Sequence, residues 1–201
     1  MLPDMKIAWF GTDILLPCLA RLVADGHEIV QIYTFPDIYG NFAHCRQTLQ
    51  AAEELDVPVR LNQPTHQELG ALIDAGAQVF ISAAYAYKIP AIVSEKAYGI
   101  NIHTSRLPQG RGRWPLPGIL LDAPEAAGVT IHKLAQQFDS GAILAQTPLS
   151  VTSGEDLDSL TAKIIMAAPP LLSGVMASLP QYWANARTQD ETQASHWPVP
   201  D

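Results

Sequence analysis

At 201 residues, 48% of them hydrophobic, the chain is long enough to bury one core of ordinary size. A net charge of −8 argues against a general nucleic-acid coat or a binder of anionic membranes, since both need basic surface. Cys18 and Cys45 have neither metal-ligand spacing nor a framework of pairs, and the N-terminus lacks a basic-then-apolar signal pattern; a reducing, cytoplasmic setting is expected.

Strands and helices alternate along the chain. Lys6–Phe10 is a short apolar strand, and Gly11-Thr12-Asp13 is a turn with an N-cap candidate for the next helix. Apolar residues recur at helical spacing from Ile14 to Val23, and Asp25-Gly26-His27 ends that helix. Glu28–Tyr33 is a second strand and Thr34–His44 a long loop. Gln47–Leu55 follows as a helix, Val57–Leu61 as a strand fragment, and Thr65–Ala75 as a helix closed by Gly76. Gln78–Ser82 is a strand whose Val79-Phe80-Ile81 suits a sheet covered on both faces. The uncharged stretch Ile164 to Ala186 contains Pro169, Pro170 and Pro180. A buried helical segment interrupted by the proline pair is expected there, not a membrane span. After about residue 180 the periodicity fades, so an extended C-terminal arm ending in Trp197-Pro198-Val199-Pro200 is expected. The alternation predicts one α/β domain over residues 1–201, with a mostly parallel central sheet flanked by helices.

In such sheets ligands sit beyond the carboxyl ends of the strands, which directs attention to loops 11–13, 34–44, 82–90, 101–113 and 135–141. The dinucleotide fingerprint is missing: Gly11 stands alone, and Gly110-Arg111-Gly112 has Pro115 where a third glycine belongs. There is no G-x-S-x-G elbow, and the six histidines have neither H-x₃-H nor H-E-x-x-H spacing, so no metal is expected.

Two segments carry more. In Gly99-Ile100-Asn101-Ile102-His103, the polar residues alternate with apolar ones, so Asn101 and His103 share one side of a strand. A carboxamide and an imidazole there could serve one substrate carbonyl, or could simply satisfy loop backbone and the core. Val129–Leu134 is another alternating strand, and Asp139-Ser140-Gly141 follows it before Ile143-Leu144. This is ordinary turn chemistry unless Asp139 faces the first pair. His132 shows no matching partner, and a structural role is expected for it.

The ordered set Asn101-Ile102-His103, Ser105-Arg106-Leu107-Pro108 and Asp139, 38 positions after Asn101, resembles the signature of the folate-dependent formyltransferases. Phe10-Gly11-Thr12 resembles that family's first loop. Ala84-Tyr85-Ala86-Tyr87-Lys88-Ile89-Pro90 is similar to its third-strand exit, with Ala86 in place of a glycine. Arg111-Gly112-Arg113 and Asp139–Gln146 look closest to the sugar-nucleotide members. Gln189-Asp190-Glu191 with Ala194 resembles the segment closing the catalytic domain in longer members. Arg106 departs from the usual leucine, which puts loop packing or acceptor contact in question.

The resemblance implies a Rossmann-like fold and an enzyme that moves a formyl group from 10-formyltetrahydrofolate to a primary amine. Asn101, His103 and Asp139 would be catalytic. Tyr85, Ala86, Tyr87, Lys88, Ile89, Gln136, Gln137 and Phe138 would lie against the folate, and Gly11, Thr12, Ser105, Arg106, Arg111 and Arg113 on the acceptor side. Three of the twelve Lys and Arg residues fall in the 106–113 loop, which suggests a small anionic acceptor such as a nucleotide-linked amino sugar. Tyr33, Phe35, Tyr39 and Phe42 could stack a base or pin their loop. With this charge, tRNA is the one nucleic acid that stays open as acceptor. Hydrolysis of the folate, or ligand binding without turnover, are the rival readings.

Overall fold

Ile7, Ala8, Trp9 and Phe10 have no solvent-exposed surface, so the first strand, β1 (Lys6–Gly11), is apolar on both faces and needs cover on both. The computed structural model describes residues 4–37, 39–92 and 94–197. Ile38 of the second loop and 198–201 of the expected arm lie outside the described residues. The chain divides into two units, Met1–Ile100 and Asn101–Asp201.

In the first unit, β1 is followed by α1 (Leu16–Ala24), β2 (Glu28–Tyr33), α2 (Arg46–Glu54), β3 (Val59–Arg60), α3 (His66–Asp74) and β4 (Val79–Ala83). The strand order is β3-β2-β1-β4, all parallel, as the helical crossovers require. Gly26 and Gly76 take φ of 94° and 97°, the left-handed conformation that ends α1 and α3. Thr65 and Glu68 form a reciprocal capping box at the start of α3.

The expected cap of the first helix is different. A 3₁₀ turn, Asp13–Leu15, precedes α1, whose own N-terminus has no side-chain cap. Asp13 instead accepts from the Gln47 and Thr48 amides (3.1 and 2.8 Å) and so caps α2, a contribution of about 1 kcal/mol. The strand expected over 57–61 shrinks to two residues because Val57 N–H still closes the end of α2 on Ala52 O. Tyr33 and Phe35 are buried in the unit's own aromatic cluster: Phe10 stacks on Tyr33 at 4.6 Å, and Tyr85 meets both Phe10 and Phe35 edge-on. They are committed to packing and not free to stack a base, whereas Tyr39 is exposed.

The unit boundary falls within β5 (Tyr98–His103). The second unit continues with α4 (Leu116–Leu121), β6 (Gly128–Lys133), β7 (Ile143–Pro148), α5 (Leu157–Ala177) and α6 (Leu179–Ala184). Its strand order is β5-β6-β7, with β7 antiparallel to β6. The α/β class with a mostly parallel sheet and flanking helices is thus the one observed.

The proline pair does not interrupt α5, which runs unbroken through Pro169 and Pro170. The carbonyls these prolines leave without a donor belong to Ile165 and Met166, half-buried and exposed residues where water can reach. By length and composition α5 could cross a membrane, but Leu160, Ile164, Ala168, Leu172, Val175 and Met176 are buried and the helix packs on β6 and β7. The tail expected to be extended from about 180 is helical to Ala184. Beyond it, Arg187 pairs with Ile143, a 3₁₀ turn spans Glu191–Gln193, and His196 pairs with Arg111.

Candidate active site

Along β5, Ile100 and Ile102 are buried in the core, and the pleat places Asn101 and His103 together on the other side. β6 repeats the pattern with Thr130 and His132. The loop after β6 returns Asp139 to these residues, so all three sequence-predicted groups meet within the second unit. Asn101 Nδ2 donates to Asp139 Oδ1 at 3.2 Å, and His103 Nδ1 lies 3.5 Å from the same oxygen. Asp139 Oδ2 accepts from Gly112 N at 2.9 Å. Asp139 has φ 55°, a left-handed conformation costing a non-glycine residue about 1 kcal/mol or more, which the surrounding bonds must offset.

A fourth member was not predicted. His132 Nε2 lies 3.0 Å from Asn101 Nδ2 and 3.6 Å from Asp139 Oδ1. Its Nδ1–H donates to Lys133 O at 2.8 Å, which leaves Nε2 as the acceptor for Asn101. The expectation that His132 lacks a partner is therefore corrected. The signal available was the i,i+2 alternation of Thr130 and His132, the same pattern that singled out Asn101 and His103.

The ring of His103 is buried, and its Nε2–H donates to Gly110 O at 2.8 Å. Nδ1 is thus the nitrogen that faces Asp139. Burial lowers the His103 pKa, with the Asp139 charge opposing, so the imidazole is neutral at neutral pH. Burial works against ionisation of Asp139, but positive charge on the adjacent His103 ring in its protonated form and the Gly112 N–H outweigh it and hold the carboxyl well below the usual carboxylate range.

The 104–113 loop is braced from within. Ser105 Oγ donates to Gln109 O (2.7 Å), and Thr130 Oγ1 donates to Ser105 O (2.6 Å) while accepting from Leu107 N. Ser105 is fully buried, so the expected acceptor contact by its hydroxyl is replaced by a loop-bracing role. Arg111 is likewise corrected. It is 3% exposed, and its guanidinium donates to Gln189 Oε1 and, as a bidentate pair at 2.7 and 2.8 Å, to Glu191. Arg106 is exposed and donates to Glu125 O at 3.3 Å; Arg113 is exposed.

The remaining candidates are placed as follows. In the first unit Gly11 is buried, and a Cβ there would come within 2.6 Å of Ala83 O; Thr12 is buried beside it. Tyr85 is buried with its hydroxyl donating to Asn62 O at 3.2 Å, Ile89 is buried, and Tyr87 is 39% exposed. Lys88 O accepts from Gln63. The left-handed residue of this exit is Ala84 (φ 57°) and not Ala86, so no glycine is required at 86. In the second unit Gln136, Gln137 and Phe138 are exposed and lie outside helices and strands. Among the described residues, no group of three His, Cys, Asp or Glu is arranged to hold a metal ion.

A carboxamide and an imidazole on β5 thus meet a carboxylate on the loop after β6, and the chain belongs to the formyl transferase family, which residues 15–176 match. A methionyl-tRNA formyltransferase of Acinetobacter baumannii is 32% identical over 94% of this chain and 64% of its own length. The chain thus spans a little over three fifths of the curated relatives it matches. Among solved structures, a sugar N-formyltransferase from Shewanella superposes with a TM-score of 0.73 at 18% identity, covering 97% of this chain and 77% of that one. Phosphoribosylglycinamide formyltransferase from Bacillus halodurans gives 0.71 at 20% identity, covering 87% and 94%. These likenesses establish the Rossmann-like formyltransferase fold.

Proposed function

We propose that the chain is a cytoplasmic formyltransferase that moves the formyl group of 10-formyltetrahydrofolate to a primary amine through Asn101, His103 and Asp139. The observation that carries this reading is the convergence of Asn101 and His103 on one carboxylate oxygen, Asp139 Oδ1. The amine nitrogen bonds to the formyl carbon, the bond from that carbon to the folate nitrogen breaks, and the proton lost by the amine is gained by the folate nitrogen. His103, neutral at neutral pH, takes up the proton on Nδ1, and Asp139 stabilises the imidazolium that results. Both amino hydrogens of Asn101 are engaged, on Asp139 and His132. Donation to the developing oxyanion therefore exchanges the His132 bond for one to the substrate oxygen.

The 135–138 segment suits the donor, being irregular and exposed with Phe138 as an apolar surface. For the acceptor, the exposed Arg106 and Arg113 support a small anionic amine such as a nucleotide-linked amino sugar. A tRNA-borne amine is the second reading, supported by the methionyl-tRNA formyltransferases among the curated relatives.

Mass spectrometry of a metabolite pool supplied with 10-formyltetrahydrofolate tests the proposal. A formylated amine is expected, and its yield should fall at least ~10²-fold in Asn101→Ala, His103→Ala and Asp139→Ala. Near-normal rates in two of these variants would overturn the assignment. Release of formate at the same rate with and without amine would mean hydrolysis instead.

A further inference from the structure

Asp139 sits in a left-handed conformation on a turn that is bonded from outside the 101–113 and 135–141 loops. Gln189, beyond the family-matched residues 15–176, is buried and makes every hydrogen bond its amide can make. Nε2 donates to Asp139 O and Gly141 O, both at 2.8 Å. Oε1 accepts from Arg111 Nε and Nη2 at 3.1 and 2.7 Å. Two carbonyls can only accept and a guanidinium can only donate, so the orientation of this amide is fixed by its partners.

We infer that Gln189 is a positioning residue: it joins the 139–141 turn to Arg111, and so fixes the carboxylate of Asp139 against Asn101, His103 and the Gly112 N–H. The turn is gripped from two sides. Gly141 packs so closely on the end of β6 that a Cβ there would run into Lys133 O, while Gln189 holds the same turn through two carbonyls. Arg111 stands one residue from each loop partner of the site, Gly110 O on His103 and Gly112 N–H on Asp139. A single buried amide thereby sets the separation between the loop that carries Asp139 and the loop that receives it. Tail docking is a separate matter: Arg111 N–H to Ser195 O (2.8 Å), Trp197 N–H to Arg111 O (3.2 Å) and Gly110 N–H to Ser195 Oγ (2.9 Å) attach the following residues without Gln189.

The catalytic meaning rests on the formyl-transfer reading, but the geometric part does not, and the two are tested separately. In the whole chain, backbone NMR with hydrogen exchange on Gln189→Met and Gln189→Glu reports the Gly112 amide, which bonds the Asp139 carboxylate, and the Arg111 and Trp197 amides, which report tail docking. Both variants should lose the Gly112 bond, seen as at least ~10-fold faster exchange and an upfield proton shift, while Arg111 and Trp197 stay protected. Glutamate keeps the acceptor for Arg111 but cannot donate to the two carbonyls. A purely structural anchor would be rescued by Gln189→Glu; a positioning residue would not. Glu191→Ala, which removes the outer partner of Arg111, should leave Gly112 unchanged. With 10-formyltetrahydrofolate and a turned-over amine, the Gln189 variants should lower kcat, by up to ~10²-fold, and leave the donor KM within about twofold. Gly112 protection unchanged in either folded variant, rescue by Gln189→Glu, or opening of Gly112, Arg111 and Trp197 together would overturn the inference. If the wild type formylates no amine, the proposed function fails and the NMR comparison still decides the role of Gln189.

Discussion

The Nε2 atom of His132 lies 3.0 Å from the side-chain amide nitrogen of Asn101, which makes a second imidazole part of the cluster around Asp139. Nδ1 of the same ring is held by Lys133 O, so the ring is anchored where Nε2 can orient the Asn101 amide. His132→Ala should lower turnover roughly 10- to 10²-fold with little change in donor KM, since the loss is one of orientation. Steady-state kinetics decide it. A variant at the wild-type rate would return His132 to the purely structural role expected from sequence.

The acid limb of the kcat profile should lie below pH 6.5, because burial lowers the His103 pKa from that value and the neutral ring is the proposed base. Asp139→Asn removes the charge that opposes this shift and should move the limb lower still, together with the loss of rate. A limb above pH 6.5 would mean that His103 does not act as the base.

The same group affects stability. A histidine whose folded pKa lies below its unfolded value binds protons better when unfolded. Its contribution is fully present above about pH 6.5 and is lost as pH falls through the lowered folded value. Asp139 acts in the same sense at lower pH: its contribution is present above the unfolded 3.8 and is lost as pH falls through its depressed folded value. Urea denaturation at pH 7.5 and about pH 5.5 should show wild type losing stability and His103→Gln losing less. Equal losses in both proteins would assign the effect elsewhere.

Gly141→Ala should be strongly destabilising for steric reasons alone, since its Cβ would collide with the backbone of Lys133. A cost of about 2–4 kcal/mol is expected from forcing the turn off β6, read as a lower urea midpoint. A change under 1 kcal/mol would show that the 139–141 turn yields more easily than its packing implies.

Arg111 and Arg113, alike in the sequence, should behave differently. Arg111→Ala leaves the buried Gln189 Oε1 without its donor and should cost about 1–3 kcal/mol of stability. Arg113→Ala should leave stability unchanged and raise the KM of an anionic acceptor on the order of tenfold. Raised salt should weaken that acceptor in the same selective way. An unchanged acceptor KM in Arg113→Ala would make the exposed arginine a solvated charge.

The sequence by itself determined what depends on local pattern. Apolar runs specified β1, β2 and β4, Gly76 closed α3, and the period-two alternation of Asn101 and His103 set both on one side of β5. The short helix α4, beginning among prolines at 115 and 117, left no periodic trace, and Pro169 and Pro170 suggested a break that solvent-facing carbonyls make unnecessary. Tertiary structure decided what depends on partners distant in the chain. Asp13 caps a helix 34 positions away, Arg111 is neutralised by a glutamate 80 positions on, and His132 gains its role from Asn101, 31 positions before it. A charge or an imidazole carries no mark of whether its partner will be substrate or protein. That choice is made by the packing that brings the partner within hydrogen-bonding distance, or fails to.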